Sequence, residues 1–396
     1  MQEPARRFPV WPLLATLATQ TLATMAAYSL PALAPVVARD LAVNGALVGY
    51  FVSLVYGVGI ASSLLAAGFI HRHGAVRACQ VVLAAALVML LICAQGSVLM
   101  AALGAIALGI GYGATAPSST HLLVPRTPPR IMNLVLSIRQ IGVPLGGVLG
   151  ALLLPPLALA VGWQNALLIQ LAPVIALILL LEGPRRRWDE RHAGGRLSLR
   201  AAWEQPLALL RGSGAIARLT FASFIYSGTQ LCFIAFTTVH LTSRAGFDII
   251  AAGQALATYQ ISGVLTRPLW GWLADRFVPA RQLLILQGFV MAAAAVMAGQ
   301  FTDAWPAWLV LVTCVAAGAT ASGYTGIAYG EFARLGGARR TEATGLGSSA
   351  MFAGVLVLPA LATAVVTTLD SYAFAYSAVA ALAVSAALVL LGGRTR

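Results

Sequence analysis

Residues 250–275 read IAAGQALATYQISGVLTRPLWGWLAD, an apolar stretch that carries one internal charge, Arg267, before it ends at Asp275. About 20 predominantly apolar residues are enough for a helix to cross the roughly 30 Å of hydrocarbon in a bilayer. An arginine held inside a membrane costs at least about 2.5–3.5 kcal/mol unless something satisfies it. The stretch therefore predicts a membrane helix with a positive site at depth, and the simplest partner for such a site is an anion.

Apolar stretches of this kind run through the whole chain. It has 396 residues, of which 59% are hydrophobic and 9% charged, and its mean hydropathy is +0.85. Charged residues make up about 25% of a soluble domain, so the composition excludes a soluble enzyme. The pattern predicts an all-α polytopic membrane protein with twelve transmembrane helices, near residues 11–37, 45–70, 79–95, 99–122, 132–158, 164–182, 215–240, 250–275, 282–300, 306–330, 343–366 and 372–392.

One long polar segment, residues 183–214, divides these spans into six and six. The division predicts an N-terminal six-helix bundle at 1–182, a cytoplasmic central loop at 183–214 and a C-terminal six-helix bundle at 215–396. Many secondary transporters are built from such repeats.

The charges are distributed unevenly across the predicted membrane. The net charge is +13, and nearly all arginines lie in loops on one side, whereas the opposite loops hold Arg39 and Arg244. Because positive loops stay inside, we expect a multi-pass protein of a bacterial inner membrane with both termini cytoplasmic. The arginines lie in short loops with no compact soluble region to form a basic groove, so no nucleic-acid partner is expected.

Two loop sequences repeat one another in the two halves: residues 271–276 read GWLADR, and residues 67–74 read AGFIHRHG. Both resemble the loop signature of the major facilitator superfamily, G-x-L-A-D-R-x-G-R-R, although the first copy has His71 where the signature has Asp. The resemblance implies the fold of that superfamily, with two six-helix halves and alternating access. It also implies a gating role for Gly271, Asp275, Arg276, Arg72 and Gly74.

The fifth span contains RQIGVPLGG at residues 139–147, which resembles the Gly/Pro-rich fifth-helix motif of the same superfamily. Gly142, Gly146 and Gly147 would let this helix approach another backbone closely. Pro144 would kink or soften it. We therefore assign these four residues to helix packing.

The eighth span contains Arg267-Pro268-x-x-Gly271, which is similar to the eighth helix of monocarboxylate transporters. That resemblance implies a substrate-facing role for Arg267. Members of that group have an Asp one turn before the arginine, and this chain has Gly263 there. The acid that their style of proton coupling needs is therefore absent at that position.

Arg139 and Arg267 are the two charges that lie well within apolar spans. Each is about eight residues from the cytoplasmic end of its predicted helix, or roughly 12 Å at 1.5 Å per residue. In the fold that the resemblance implies, the fifth and eighth helices face each other, so both guanidiniums could converge on one carboxylate, which suits their planar fork. Aligning the repeats pairs Arg267 with Ser63 and Arg139 approximately with Ser349. The alternative is a cytoplasmic gate, with either arginine bonded to helix C-terminal carbonyls or to Asp275.

Four further polar residues lie on spans that line the cavity in the implied fold: Gln20, Tyr112, Gln230 and Tyr324. We expect them to hydrogen-bond substrate, and the alternative is ordinary interhelical bonding worth about 0.6 kcal/mol each. His121 could titrate near neutral pH, but its place near a helix end is typical of a solvated side chain.

These features favour a monomeric secondary transporter of a small organic anion, working by exchange or proton-linked symport. One alternative is a drug/proton antiporter, which the lack of an acid in the membrane interior disfavours. Another is a non-transporting membrane sensor or scaffold. We find no nucleotide-binding loop, nucleophile triad or metal cluster in the sequence, and so expect a protein that is not an enzyme, with no cofactor or metal and with substrate and the lipid bilayer as partners.

Overall fold

The computed structural model describes residues 8–43, 47–189 and 199–392. Within those ranges the chain is almost entirely helical and contains no strand, which confirms the predicted all-α membrane fold. Several of the arginines used to predict the orientation lie outside the described residues, namely Arg6, Arg7, Arg191, Arg196, Arg394 and Arg396.

Each predicted span of the first half is occupied by one helix or by two consecutive helices. These are α1 Val10–Ala32, α2 Ala34–Asp40, α3 Leu47–His73, α4 Ala75–Cys93, α5 Val98–Tyr112, α6 Thr115–Leu123, α7 Met132–Gln140, α8 Gly142–Val161, α9 Trp163–Ile169 and α10 Leu171–Trp188.

The predicted central loop contains a helix of its own, and the second half continues with longer helices. These are α11 Leu199–Gly212, α12 Gly214–Ser243, α13 Ile249–Arg276, α14 Ala280–Gly299, α15 Ala307–Ala317, α16 Thr325–Gly336, α17 Arg340–Leu369 and α18 Tyr372–Leu391.

Nine stretches of the described residues are long and apolar enough to cross a membrane, and a tenth is added if α1 and α2, bent by 56°, form one span. The sequence predicts twelve. The stretch Ala307–Leu369 counts once although it contains the predicted tenth and eleventh spans. The helix α13 is long enough but less apolar, because it carries Gln254, Gln260 and Arg267.

Several spans are interrupted. The fourth breaks at residues 113–114, the fifth at Ile141, and the tenth at a π-helical turn, Gly318–Ser322. A break releases main-chain carbonyls from their helical hydrogen bonds, and a bilayer offers no water to bond them. Because π-helical insertions are frequent at functional sites, the side chains that satisfy these carbonyls are candidates for the functional site.

Packing divides the chain into two compact units. Unit 1 holds the described residues of Met1–Pro128, Arg139–Ala208 and Gly336–Ser349. Unit 2 holds those of Pro129–Ile138, Leu209–Leu335 and Ala350–Arg396. Each unit therefore contains most of one half of the sequence and one short segment from the other half.

The start of α8 combines a break with a close approach. Pro144 lies in its first turn, three residues after the break at Ile141. Proline lacks the N–H that would bond the carbonyl four residues earlier, here that of Gln140, and this missing donor accounts for the interruption. A Cβ added to Gly142 would lie 2.9 Å from the main-chain oxygen of Leu17 in α1.

The other two predicted packing glycines differ sharply in their surroundings. A Cβ added to Gly146 would lie 2.3 Å from the main-chain oxygen of Thr21. A Cβ added to Gly147 would have Tyr28 Cδ2 as its nearest neighbour, at 3.8 Å. Only a glycine fits at Gly146, whereas Gly147 has room for a methyl group.

We expect Gly146→Ala to destabilise the protein, because the added methyl overlaps the carbonyl of Thr21. Overpacking of this kind costs about 1–3 kcal/mol, which corresponds to a fall of roughly 1–4 °C in the unfolding midpoint of a chain of this size. The measurement is thermal unfolding of the purified protein in detergent.

The neighbouring Gly147→Ala variant is the matched control. It should leave the midpoint unchanged or raise it slightly, since alanine is favoured over glycine in helices by about 1 kcal/mol. Equal losses in both variants would contradict the close approach of α1 and α8 at Gly146.

Candidate functional site

Arg139 lies in the last turn of α7 and is 2% exposed. Its guanidinium donates to Gln20 Oε1 at 2.7 Å and to the main-chain oxygen of Thr115 at 2.8 Å. It also donates to the side-chain oxygen of Gln140. These neutral oxygens satisfy N–H groups but do not cancel the positive charge of the guanidinium.

Gln20 connects Arg139 to a cluster of hydroxyl groups. Its amide nitrogen donates to Thr24 Oγ1 at 2.9 Å and lies 3.4 Å from the hydroxyl oxygen of Tyr112. The hydroxyls of Thr24 and Tyr112 are 3.1 Å apart. The structure thus brings together three of the predicted substrate-binding residues, Arg139, Gln20 and Tyr112, within unit 1.

The hydroxyl cluster continues to two tyrosines that the sequence analysis did not select. The ring of Tyr56 packs edge-on against Tyr112 with centroids 6.0 Å apart, and the hydroxyls of Tyr56 and Tyr28 are 3.3 Å apart. Both Tyr28 and Tyr56 are half-buried. A signal was present, because Gln20, Thr24 and Tyr28 are spaced four residues apart and so share one face of α1.

Arg267 is the buried arginine of unit 2. It lies on α13, is 2% exposed, and donates from Nε to the main-chain oxygen of Ser322 at 3.0 Å. Its terminal nitrogen also lies 3.1 Å from Ser322 Oγ. Ser322 ends the π-helical turn, so Arg267 serves a carbonyl at the break in the tenth span.

Three other side chains of α13 bond to the same broken span. Ser262 donates to the main-chain oxygen of Val315 at 3.1 Å, and Thr266 lies 3.3 Å from that of Ala319. The indole nitrogen of Trp270 donates to the Ala319 oxygen at 2.6 Å. One face of α13 therefore supplies the donors that the interruption requires.

In the first half, a neutral side chain donates to the main-chain carbonyl at the break. Ser63, which the repeat aligns with Arg267, donates to the main-chain oxygen of Gly113 at 2.9 Å. Gly113 lies at the break between α5 and α6. In both units, the aligned residue donates to a carbonyl at the interruption of the neighbouring span.

Gly263 faces the same turn. A Cβ added there would lie 2.6 Å from Ser322 Oγ and 3.1 Å from the main-chain oxygen of Gly318. An acid at this position would displace Ser322, the partner of Arg267. The place that carries an Asp in monocarboxylate transporters is thus closed by the packing of α13 on the π-helical turn.

Tyr324 and Gln230 differ in how they relate to Arg267. Tyr324 is fully buried, lies 3.4 Å from the main-chain oxygen of Ser223 through its hydroxyl, and interacts electrostatically with Arg267. Gln230 is half-buried, and its main-chain oxygen lies 3.3 Å from the hydroxyl of Tyr259, which also interacts electrostatically with Arg267. Tyr324 is therefore beside Arg267, and Gln230 is linked to it through Tyr259.

The predicted loop motif of the second half caps a helix. Asp275 accepts hydrogen bonds from the main-chain nitrogens of Asn133 at 3.0 Å and Leu134 at 2.8 Å, at the start of α7. Gly271 permits this approach, because a Cβ there would lie 2.6 Å from the Asn133 oxygen. In the Asp275-Arg276 pair, the carboxylate therefore caps the helix, and the side chain of Arg276 is exposed.

The loop of the first half uses a different acid. Gly74 has φ +93°, and the carboxylate of Asp189 fills the space that its Cβ would take. Asp189 accepts from the main-chain nitrogens of Val76 at 2.8 Å and Arg77 at 3.1 Å, at the start of α4. Arg72 is exposed.

The buried arginines, the broken spans and the capped helix ends define a polytopic membrane protein with a polar interior, as transporters have. The sequence matches the Major Facilitator Superfamily over residues 16–329 and again over residues 219–396. The chain belongs to this superfamily, as the resemblance predicted, and is a transporter rather than an enzyme.

Comparisons with individual proteins give the fold and a group of relatives. The structure of the proton:xylose symporter XylE bound to 6-bromo-6-deoxy-D-glucose matches with a TM-score of 0.76 and 14% identity, covering 95% of this chain and 94% of that one. A probable nitrate/nitrite transporter, NarK2 of Mycobacterium tuberculosis, is 33% identical over 132 residues, which are 32% of this chain and 31% of NarK2. The 4-hydroxybenzoate transporter PcaK of Pseudomonas aeruginosa is 27% identical over 200 residues, 43% of this chain and 45% of PcaK. The chain thus matches less than half the length of these two relatives.

We expect Asp275→Ala to lower the unfolding midpoint, because two amides at the start of α7 would lose their acceptor. Losing a helix cap costs about 0.5–2 kcal/mol, or roughly 1–2 °C in a protein of this size. Thermal unfolding of the purified protein measures it. The exposed neighbour Arg276→Ala is the control and should change the midpoint by no more than about 1 °C, and a larger loss there than in Asp275→Ala would reverse the assignment.

Proposed function

We propose that this transporter carries a small organic anion, a carboxylate, by secondary active transport with alternating access. Arg267 and Arg139 bind the anion, and Gln20, Tyr112, Tyr324 and Gln230 contribute hydrogen bonds at or near the two arginines. Binding is followed by exchange or by proton-linked symport. The protein works as a monomer in the inner membrane of a bacterium, with the arginine-rich loops and both termini in the cytoplasm.

The observation that carries the proposal is the buried positive charge of Arg267, which is 2% exposed. A carbonyl at a helix break needs one donor, and Ser63 supplies it in unit 1 with a neutral hydroxyl. Arg267 does the same for Ser322 with a charged guanidinium. Keeping that charge inside a membrane costs at least about 2.5 kcal/mol, so the carbonyl alone does not explain an arginine.

Arg139 supports the same conclusion from the other unit. Its bonds to Gln20 and Thr115 again go to neutral oxygens, and the interior of the predicted spans has no Asp or Glu. Guanidinium binds carboxylate through two parallel hydrogen bonds, so an oxyanion offers each arginine a better partner than a neutral oxygen does.

The relatives are consistent with an anionic substrate. NarK2 is named for nitrate and nitrite, and PcaK for 4-hydroxybenzoate. All three ions carry one negative charge on a flat group of oxygens, the shape that the guanidinium fork accepts. The half-buried pair Tyr28 and Tyr56 supplies aromatic surface near Tyr112, which favours carboxylates with a ring.

We expect 4-hydroxybenzoate or a related carboxylate to raise the unfolding midpoint of the purified protein. A ligand at a hundred times its Kd stabilises the native state by about 2.7 kcal/mol, or roughly 3 °C for a chain of this size. Arg267→Ser should abolish the shift while retaining a hydroxyl donor for the carbonyl of Ser322. Arg267→Lys keeps the charge without the fork and should retain part of it. A thermal-shift titration against mono- and dicarboxylates and nitrate makes the measurement.

The matched control is Ser63→Ala. It removes the aligned carbonyl bond of unit 1 and leaves both arginines in place, so it should lower the midpoint of the free protein but keep the anion-dependent shift. Loss of the shift in Ser63→Ala as well would indicate that structural damage, not the loss of charge, explains Arg267→Ser.

Arg139→Gln distinguishes the two roles considered for that residue. If Arg139 binds substrate, Arg139→Gln should raise the apparent Kd for the anion at least tenfold, which corresponds to about 1.4 kcal/mol. The apparent Kd is obtained from the anion-dependent shift of the midpoint. A double variant with Arg267→Ser that loses no more than either single variant indicates one shared anion. An unchanged shift in Arg139→Gln would assign Arg139 to a gate, and shifts with hydrophobic cations in place of anions would favour a drug antiporter.

A further inference from the structure

Three titratable side chains from three helices meet at one end of unit 1. His71 lies in the last turn of α3, His121 lies in α6, and Glu342 lies in the first turn of α17. The Nδ1 atom of His71 is 3.8 Å from Glu342 Oε1, and the two imidazole rings have centroids 5.6 Å apart. His121 Nδ1 is 2.8 Å from the hydroxyl oxygen of Thr341. We call His71, His121 and Glu342 the His/Glu cluster.

The sequence departs here from the loop signature that it resembles. The signature has an Asp where this chain has His71, and the acid is instead supplied by Glu342. A carboxylate in the first turn of a helix is favoured by the helix dipole. The exchange places an imidazole opposite a carboxylate.

Glu342 is poorly satisfied. It is 5% exposed, and its Oε2 atom is buried without a hydrogen-bond partner. Burial disfavours a charged carboxylate unless a donor or an opposite charge compensates it. The side chain of His71 is 43% exposed, so water can deliver a proton to its ring. The protonated ring then carries the charge opposite to that of Glu342.

A metal ion is not the ligand that this cluster fits. No group of three or more His, Cys, Asp or Glu side chains in the described residues has an arrangement that could hold a metal. A proton needs no such set of ligands. It needs a basic nitrogen, access to water and a nearby carboxylate.

We propose that the His/Glu cluster is a proton-binding site and that this proton is the ion coupled to anion transport. A proton passes from water to the ring of His71, and the resulting imidazolium pairs with the Glu342 carboxylate. No other bond forms or breaks, and the charge of the pair changes from −1 to zero. The coupling rests on the proposed anion transport, whereas proton binding at the cluster stands independently of it.

Other charged groups on the same elements set the background. Arg72 and His73 follow His71 on α3 and are exposed, and the ring of His73 stacks on Phe69. On the side of α17, Arg340 precedes Glu342, and Arg339 donates to the main-chain oxygen of Gln205. After α6, Arg126 donates to the main-chain oxygens of Leu122 and Trp188. An arginine keeps its charge between pH 6 and pH 8, so these arginines form a constant background.

The test of the site is the unfolding midpoint of the purified full-length protein between pH 8 and pH 6, without added anion. Protonated His71 pairs with Glu342 in the native state, so lowering the pH should raise the midpoint of the unaltered protein relative to that of Glu342→Gln. Glu342→Gln removes the acid and should give a low midpoint with no such rise. His71→Arg carries a permanent charge and should give a high midpoint at both pH values.

His73→Gln is the matched control, because it removes a histidine two residues away on the exposed side of the same helix end. It should keep the pH-dependent rise of the unaltered protein. The same pH dependence in the unaltered protein, Glu342→Gln and His71→Arg would overturn the proton site. Because Glu342→Gln and His71→Arg are expected to move the midpoint in opposite directions, general misfolding cannot produce the predicted pattern.

The test of coupling uses proteoliposomes that contain a pH-sensitive dye, with labelled 4-hydroxybenzoate or nitrate added outside and protein-free vesicles as the reference. In the unaltered protein, a proton should enter with each anion, so the pH of the vesicle interior should fall in proportion to anion uptake. In His71→Arg, acidification per anion should fall at least fivefold. Anion entry without acidification in the unaltered protein would overturn the coupling and leave the proposed anion transport standing. If neither anion enters or shifts the unfolding midpoint, the proposed function fails, and the coupling with it.

Discussion

The rest of this structure depends on the need to satisfy main-chain carbonyls inside a bilayer. A continuous helix meets this need alone, but the fourth and tenth spans are interrupted at residues 113–114 and at the π-helical turn Gly318–Ser322. With no water at that depth, a neighbouring helix must supply the donors. The helix α13 does so from one face, through Ser262, Thr266, Arg267 and Trp270. The glycines at these contacts, such as Gly263 and Gly318, are what allow the helices to come close enough.

This constraint explains why the structural and the proposed functional roles of the arginines coincide. A guanidinium is planar and carries five donors, so it can hold a protein oxygen on one edge and still suit an anion on another. The bonds to Ser322 and to Gln20 fix the orientation of Arg267 and Arg139, respectively. Fixed orientation lowers the cost of ordering when a ligand binds. A flexible lysine would satisfy the carbonyl without providing that preorganisation.

The sequence predicted the elements better than the contacts between them. Long apolar runs predicted helices at all twelve positions where the described residues contain them, because apolar length is what a bilayer requires of a helix, whereas the helix α11 in the predicted central loop was missed. Gln20 and Tyr112 were selected for their spans. The bond from Arg139 to Gln20 and the contact of Gln20 with Tyr112 depend on how α1, α5 and α7 pack. The role of Thr115 could not be predicted, since the acceptor is a main-chain oxygen that every residue possesses. Asp189 was missed because its partner, the start of α4, lies more than a hundred residues earlier in the chain.

Acids lie at the first turn of several helices, and a comparison of three of them explains why the proposed proton site lies at only one. Asp275 at α7 and Asp189 at α4 each accept two main-chain N–H bonds. These donors bond both oxygens of each carboxylate. Glu342 sits within α17 itself, and one of its buried oxygens has no partner. Its charge must be met by another side chain, and the residue that faces it is a histidine rather than an arginine. An arginine would compensate the charge of Glu342 at every pH, whereas a histidine compensates it only when the ring is protonated.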